Sequence, residues 1–391
     1  MRSLTLFVTL ALAFTTIACS TQVGTEDSQG RETSCNDKDE DKKRIIGYVF
    51  GQREVDIDRL NPNLLTHVNY AFANVVDNEA KLMSSRDKEQ IKRLNALKER
   101  NPDLKILLSV GGWSWSGNFS DMALTEETRN IFAESLTDLI VEHDLDGIDI
   151  DWEYPGQLGD GNRYRAEDKQ NFTLLLKEVR DKLDAMSDEE GRKGIDRYKL
   201  TIASGANQAF LDNTEMDRAH AYLDFINIMT YDFYGAWSGT SGHHANLFPS
   251  ELQPHGGSAS LAVEQHVDAG IPVEKLVLGV PFYARGWSGL ENEHNGLYQT
   301  FEKATESVPY STLKEHYINK NGFVRFWDDA AKAPYLWNED KLTLYTYDDE
   351  ESLKHKAEYI NESGMSGAMF WEFSHDDQQV LLEILERHLL P

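Results

Sequence analysis

The chain has 391 residues, 40% of them hydrophobic, enough for one large core or for two to three smaller domains. With 66 Asp plus Glu against 39 Lys plus Arg, its formal net charge of -27 repels phosphate backbones, which excludes nucleic acid as a natural partner. Cysteines stand only at Cys19 and Cys35, so neither a disulfide framework nor a cysteine metal site is available.

The chain opens with MRSLTLFVTLALAFTTIAC, in which Arg2 precedes an apolar run from Leu4 to Ala18 broken only by threonines. The run is too short for a spanning helix and ends at small residues, so 1–18 reads as an export signal. TIAC, ending at Cys19, resembles a bacterial lipoprotein processing site, although Thr16 stands where leucine is usual. Lipidation at Cys19 and simple secretion are both open; if Cys19 is lipidated or removed, Cys35 is unpaired. Residues 19–43 carry almost no large apolar side chains and cannot offset the entropy of ordering, so they read as a disordered acidic tether.

Eight β-branched runs follow: IIGYVF from Ile45, LTHVNYAFA from Leu65, LKILLSV from Leu104, DGIDIDWE from Asp146, KLTIASGA from Lys199, YLDFINIMTYD from Tyr222, KLVLGVPFY from Lys275 and SGAMFWEF from Ser366. Helical patterns lie between them, among them KEQIKRLNALKER, RNIFAESLTDLIVEH, QNFTLLLKEVRDKLDAM and LAVEQHVDAG, and DQQVLLEILERHLL follows the last run. This alternation predicts an α/β fold, a (β/α)8 TIM barrel over 44–284 and 348–391. The interval 285–347 is far longer than a βα loop. Its aromatic residues (Tyr298, Tyr310, Tyr317, Phe323, Phe326, Trp327, Tyr335, Trp337) and alternating runs GFVRFWD and KLTLYTY predict a small insertion between strand seven and its helix, forming a wall beside the active face. No repeat is present, and no stretch remains for a separate carbohydrate-binding module.

The fourth run puts four acids in eight positions. Alternation along a strand places Asp149, Asp151 and Glu153 on one face and Ile148, Ile150 and Trp152 on the other. The apolar set, Trp152 included, belongs against the helices, so the acids enter the barrel, where an ionised carboxylate is costly without partners. A hydrogen-bonded cluster or a cation site would also use clustered oxygens. The acids, however, climb to the C-terminal strand end, where barrel active sites are built, and this favours catalysis. Stacked like charges raise one another's pKa, so Glu153 is expected to stay protonated as a general acid above an ionised aspartate.

Cleaving a glycosidic bond with such an acid normally requires a second carboxylate across the sugar, and this strand supplies none there. A 2-acetamido group on the substrate then remains as nucleophile, with retention of configuration. The sixth run ends MTYDFYG, placing Met229 and Tyr231 on one face and Asp232 at the rim; Tyr231 is suited to donate to the acetamide carbonyl and Asp151 to accept from its nitrogen.

DGIDIDWEYP resembles the DxxDxDxE signature of glycoside hydrolase family 18 chitinases, and LLSVGGW from Leu107 resembles that family's SxGG motif. MTYDFYGAW from Met229, PFYARGW from Pro281 and SGAMFWEF are similar to its strand-six, strand-seven and strand-eight motifs, so the likeness covers about 44–390. The resemblance implies Glu153 as proton donor, Asp151 as the residue that turns to hold the acetamido nitrogen, and Asp149 as its charge partner; Asp146 is structural. It further implies that Tyr231, Asp232 and Met229 line the reacting sugar's subsite, with Trp371 as floor and Tyr48 and Phe72 as flanks. Trp113 and Trp237 match positions that stack on neighbouring sugars, Tyr283 and Arg285 match polar contacts, and 285–347 matches the α+β insertion domain of the deep-cleft branch. Where many members carry a tryptophan soon after strand one, this chain reads GYVFGQREVD.

Trp115, Trp287, Trp327 and Trp337 are left open between core and cleft. Gly111 and Gly112 lack the following lysine of a phosphate loop and read as close-packing residues. His243 and His244 have no spaced acid or cysteine partner and are assigned to a loop within reach of sugar rather than to a metal. The expectation is a secreted or surface-held monomeric chitinase acting on chitin or chitooligosaccharides without cofactor or metal. The alternatives are an endo-β-N-acetylglucosaminidase of N-glycan cores and a non-catalytic chitinase-like lectin, which would lack Glu153.

Overall fold

In the computed structural model, residues 42–53 and 55–391 are described. The expected leader, Cys19, Cys35 and most of the tether lie outside them.

Seven strands, β1 (Arg44–Phe50), β2 (His67–Val76), β3 (Lys105–Gly111), β4 (Gly147–Asp151), β5 (Lys199–Gly205), β6 (Phe225–Met229) and β7 (Leu276–Pro281), pair in parallel in chain order. After β7 come the strands β8 (Tyr283–Ser288), β9 (Val324–Asp328), β10 (Ala333–Asn338) and β11 (Thr343–Thr346), and then β12 (Gly367–Trp371). Because β12 pairs in parallel with both β7 and β1, the ring closes as an eight-stranded barrel with no free edge.

Among the described residues, four of the six long helices start where a short polar N-cap side chain receives their first amide groups. Ser84 and Asp87 form a capping box at α1 (Ser85–Ala96), Thr125 caps α2 (Glu126–His143), and α3 (Asp168–Glu189) follows β4. Ser258 caps α4 (Ala259–Asp268), Asp349 caps α5 (Glu350–Ser363), and α6 (Val380–Leu389) ends the chain. Between β5 and β6 there is no long helix, only the short helices Gln208–Asp212 and Met216–Ala219 and a 3-10 turn, His220–Tyr222.

Alternation divides the apolar residues into two cores. Outward residues such as Ile148, Ile150 and Trp152 pack against the helices, where Trp152 stacks on Phe119 at 5.3 Å and meets Phe172 edge-on. Inward residues Ile46, Tyr48, Ala71, Phe72, Phe225, Val277 and Met369 fill the barrel.

β7 runs almost directly into β8 through Phe282, whose ring stacks on Phe370 at 4.3 Å and whose amide donates to the Trp371 carbonyl. The chain thus leaves the barrel as the first strand of a second, antiparallel sheet in the order β8-β11-β10-β9, with a seven-residue helix, Tyr310–His316, beside it. Trp287, Trp337, Leu290, Leu297, Tyr335 and Leu344 form its own core. Two of the tryptophans left open by sequence, Trp287 and Trp337, are therefore core residues of this sheet. No helix among the described residues is long and apolar enough to cross a membrane.

Candidate active site

A cleft of about 1000 Å³ lies at the C-terminal ends of the barrel strands, with Tyr283, Arg285 and Ser307 forming part of its wall. Asp151 and Glu153 line it below, while Asp149 is fully buried beneath them.

Asp149 sits at the centre of four donors brought in by four strands. Its Oδ2 accepts from Tyr48 Oη and Ser109 Oγ, each at 2.8 Å, and its Oδ1 accepts from Thr201 Oγ1 at 2.6 Å and Asn227 Nδ2 at 3.3 Å. Burial raises its pKa, and those bonds act against the rise by favouring the charged form. Asp151 has no such company, and its buried Oδ1 has no partner. Burial, then the charges of Glu153 and Asp149, push its pKa well up.

Glu153 is pushed up to about 7, first by burial; the Tyr154 hydroxyl moderates the rise and the Asp232 charge adds to it. Burial thus outranks the stacking of charges that the sequence suggested as the cause. The repulsion between Glu153 and Asp151 is mutual, as expected of stacked acids, and the Asp232 charge from strand six adds to it. A reaction that draws its proton from Glu153 is expected to fade as pH rises through about 7, because the donor form is then lost. A kcat/KM profile between pH 5 and 9 checks this; activity undiminished at pH 8 would place the proton elsewhere.

The end of β4 is held by Ser116. Its Oγ accepts from the Glu153 amide at 2.8 Å and donates to the Gly112 and Asp151 carbonyls. The chain can pass here only because Gly111 and Gly112 have φ of +111° and +80° and no Cβ; a Cβ on Gly111 would fall 2.1 Å from the Asp151 carbonyl oxygen, and one on Gly112 would meet the Phe72 ring at 2.6 Å.

After β6 the backbone leaves the ladder, with the Tyr231 amide donating to the Met229 carbonyl and Asp232 in a left-handed conformation. This aims Met229, Tyr231 and Asp232 into the cleft. Arg285 grips Asp232 through Nε to Oδ1 at 2.8 Å and Nη2 to Oδ2 at 2.6 Å, and Tyr283 Oη donates to Oδ1 at 2.9 Å. Burial pushes Asp232 up, but His244 and Arg285 outweigh it and hold the carboxyl well below the usual range. His244 Nδ1 stands 3.4 Å from Asp232 Oδ1 without forming an aligned hydrogen bond, so the bidentate guanidinium does most of this. Burial keeps Tyr231 protonated by raising its pKa well above the phenol value, and the surrounding carboxylates add to this, so it remains a donor.

Aromatic rings surround these groups. Trp371 has Phe72 stacked at 5.5 Å, with Tyr48 and Phe50 tilted against it at 5.7 and 5.5 Å. Trp113 and Trp237 stand 52% and 64% exposed at the rim, and the Arg285 guanidinium lies 5.2 Å from the Trp237 ring centre. Trp115 also lines the cleft, whereas Trp327 packs beside His355 and Arg325 away from it.

The cleft therefore brings together every singled-out residue except Asp149, which supports it from below. His243 and His244 are the exception among the lesser candidates: both are buried, His243 facing Asp328 and His244 backing Asp232, so neither is placed to touch a sugar. Phe50, Tyr154 and Ser116 were missed. Phe50 carried a usable signal, being two residues beyond Tyr48 on the same strand face; Ser116 carried none.

Residues 44–376 match the model of glycosyl hydrolases family 18. Chitinase A1 of Niallia circulans is 39% identical over 89% of this chain and 59% of its own length, and chitinase B of Serratia marcescens is 30% identical over 89% and 84%. This chain thus spans well under two thirds of the first of these relatives. Among solved structures, a family 18 N-acetylglucosaminidase from Paenibacillus barengoltzii is 41% identical, with a TM-score of 0.83 over 89% of this chain and all of that one.

Proposed function

Since the chain belongs to the glycosyl hydrolases of family 18, we propose that it is a chitinase, hydrolysing β-1,4 bonds between N-acetylglucosamine units with retention. The observation that carries this reading is the disposition of carboxylates. Among the described residues lining the cleft they are Asp151, Glu153 and Asp232, and the only one on another strand, Asp232, is gripped by Arg285 and Tyr283. It is not free to attack carbon, so the nucleophile comes from the substrate. Glu153 donates the proton, Tyr231 donates to the acetamide carbonyl, Asp151 accepts from the acetamide nitrogen with its unpartnered oxygen, and Asp149 keeps the stack charged.

Trp371 is assigned as floor of the reacting subsite, Tyr48, Phe72 and Met229 as its sides, and Trp113, Trp237, Tyr283 and Arg285 as contacts to neighbouring sugars. The leader over 1–18 and Cys19 support export, with or without a lipid anchor, and the second sheet supports linear chitin over branched glycans by walling the cleft.

A second reading, release of single sugar units as the name of the Paenibacillus barengoltzii enzyme indicates, is favoured by one observation: among the described residues that follow Phe50 after β1, the cleft carries Gln52 and Arg53 and no further aromatic platform. Products from chitin hexamer and from a biantennary N-glycan, run side by side, separate the possibilities. Dimers and trimers from the hexamer are expected, with the glycan untouched; monomers alone would favour the second reading, and cleavage of the glycan core would overturn chitin preference.

A further inference from the structure

Arg53 follows β1 and lines the cleft. Its guanidinium carbon lies 5.7 Å from the Phe50 ring centre, and Phe50 in turn leans on Trp371 at 5.5 Å. Arg53 Nη1 stands 3.1 Å from His375 Nε2; a guanidinium only donates, so the imidazole accepts. The Glu372 carboxylate, buried behind and held by Ser374, lies 3.3 Å from the same nitrogen with no proton between them.

The backbone beneath is fixed as well. The Arg53 amide donates to the Phe50 carbonyl, Gln90 donates to the Arg53 carbonyl, and Arg86 donates to the Gln52 carbonyl. The Arg53 side chain is solvent-exposed at the mouth, with His375 and the Phe50 ring as its contacts.

Ring order tells which part of the substrate meets it. The acid Glu153 follows β4, and β12, carrying Trp371, lies directly across the barrel from β4, with β1 beside it. An acid protonates the leaving oxygen, so the leaving sugar lies toward Glu153, while the sugar retained on the donor side extends past Trp371 toward Arg53.

Resting on the chitinase reading, we propose that Arg53 is a specificity-determining residue that excludes a glucosamine unit, with its ammonium group, from the position next to the reacting sugar on the donor side. A like charge there is repelled, whereas an N-acetyl unit is neutral and can accept the guanidinium hydrogen bonds. The effect is local, since the protein as a whole, at -27, attracts a polycation.

The test uses chitin tetramers, fully acetylated or with a single glucosamine at that position, cut by the wild type, Arg53→Lys, Arg53→Gln and Arg53→Glu; the readout is the ratio of the two kcat/KM values. For an exposed charge, wild type and Arg53→Lys are expected to disfavour the glucosamine substrate about fivefold, Arg53→Gln to lose most of that preference, and Arg53→Glu to reverse it. The preference is expected to weaken in high salt. Equal ratios for Arg53→Lys and Arg53→Glu, or no discrimination by the wild type, would overturn the assignment. Failure of the wild type to cut the fully acetylated tetramer would instead overturn the chitinase reading itself.

Discussion

Glu153→Gln is expected to lower kcat on chitin oligomers about a thousandfold, in the range that positioned general acids contribute, while leaving oligomer binding in place. The same substitution is expected to stabilise the fold at alkaline pH. Glu153 titrates near 7 in the folded protein against 4.5 ordinarily, so between those values the folded state retains a proton that the unfolded state has released, and stability falls as pH rises. Glutamine cannot ionise. The variant should match the parent at pH 4 and exceed it by about 3 kcal/mol at pH 8, seen as a melting temperature several degrees higher. Loss of activity with no such gain would mean that Glu153 is not held in a desolvated, proton-retaining site.

The second large effect concerns the acetamide. Fully deacetylated substrate, present at the concentrations at which chitin oligomers are cut, is expected to react below roughly 1% of their rate, because in the proposed mechanism the acetamide carbonyl is the nucleophile and Asp232, tied to Arg285, does not replace it. Asp151→Asn should lower kcat about a hundredfold, comparable to removing one preorganised electrostatic contact to a transition state. KM should move much less. Turnover of chitosan at the rate of chitin would require another nucleophile, and the placing of Asp232 would have to be reconsidered.

These effects trace back to features of unequal legibility. All eight barrel strands could be read from runs of β-branched residues because a parallel strand covered on both faces has little choice of composition. Their ends were harder. The sixth run, read from Tyr222 to Asp232, forms a strand only over Phe225–Met229, since Tyr231 and Asp232 turn out of the ladder into the cleft. The acidic ladder and the repulsion along it were legible through simple alternation, but the charge that Asp232 adds was not: Asp232 is positioned by Arg285, 53 positions away. His243 and His244 do lie in a loop, but out of reach of sugar, because that loop is roofed by the second sheet, which sequence cannot show. Non-proline cis peptide bonds before Phe72, at the irregularity within β2, and before Tyr154 and Glu372, just past β4 and β12, were equally hidden, since only proline would have announced them.

The attack of a substrate oxygen on the anomeric carbon is tested most directly by proton NMR of the products in the first minute after mixing enzyme with chitin oligomers. The β-anomer is expected to appear first and to mutarotate later; an initial excess of the α-anomer would mean direct attack by water and would contradict the account.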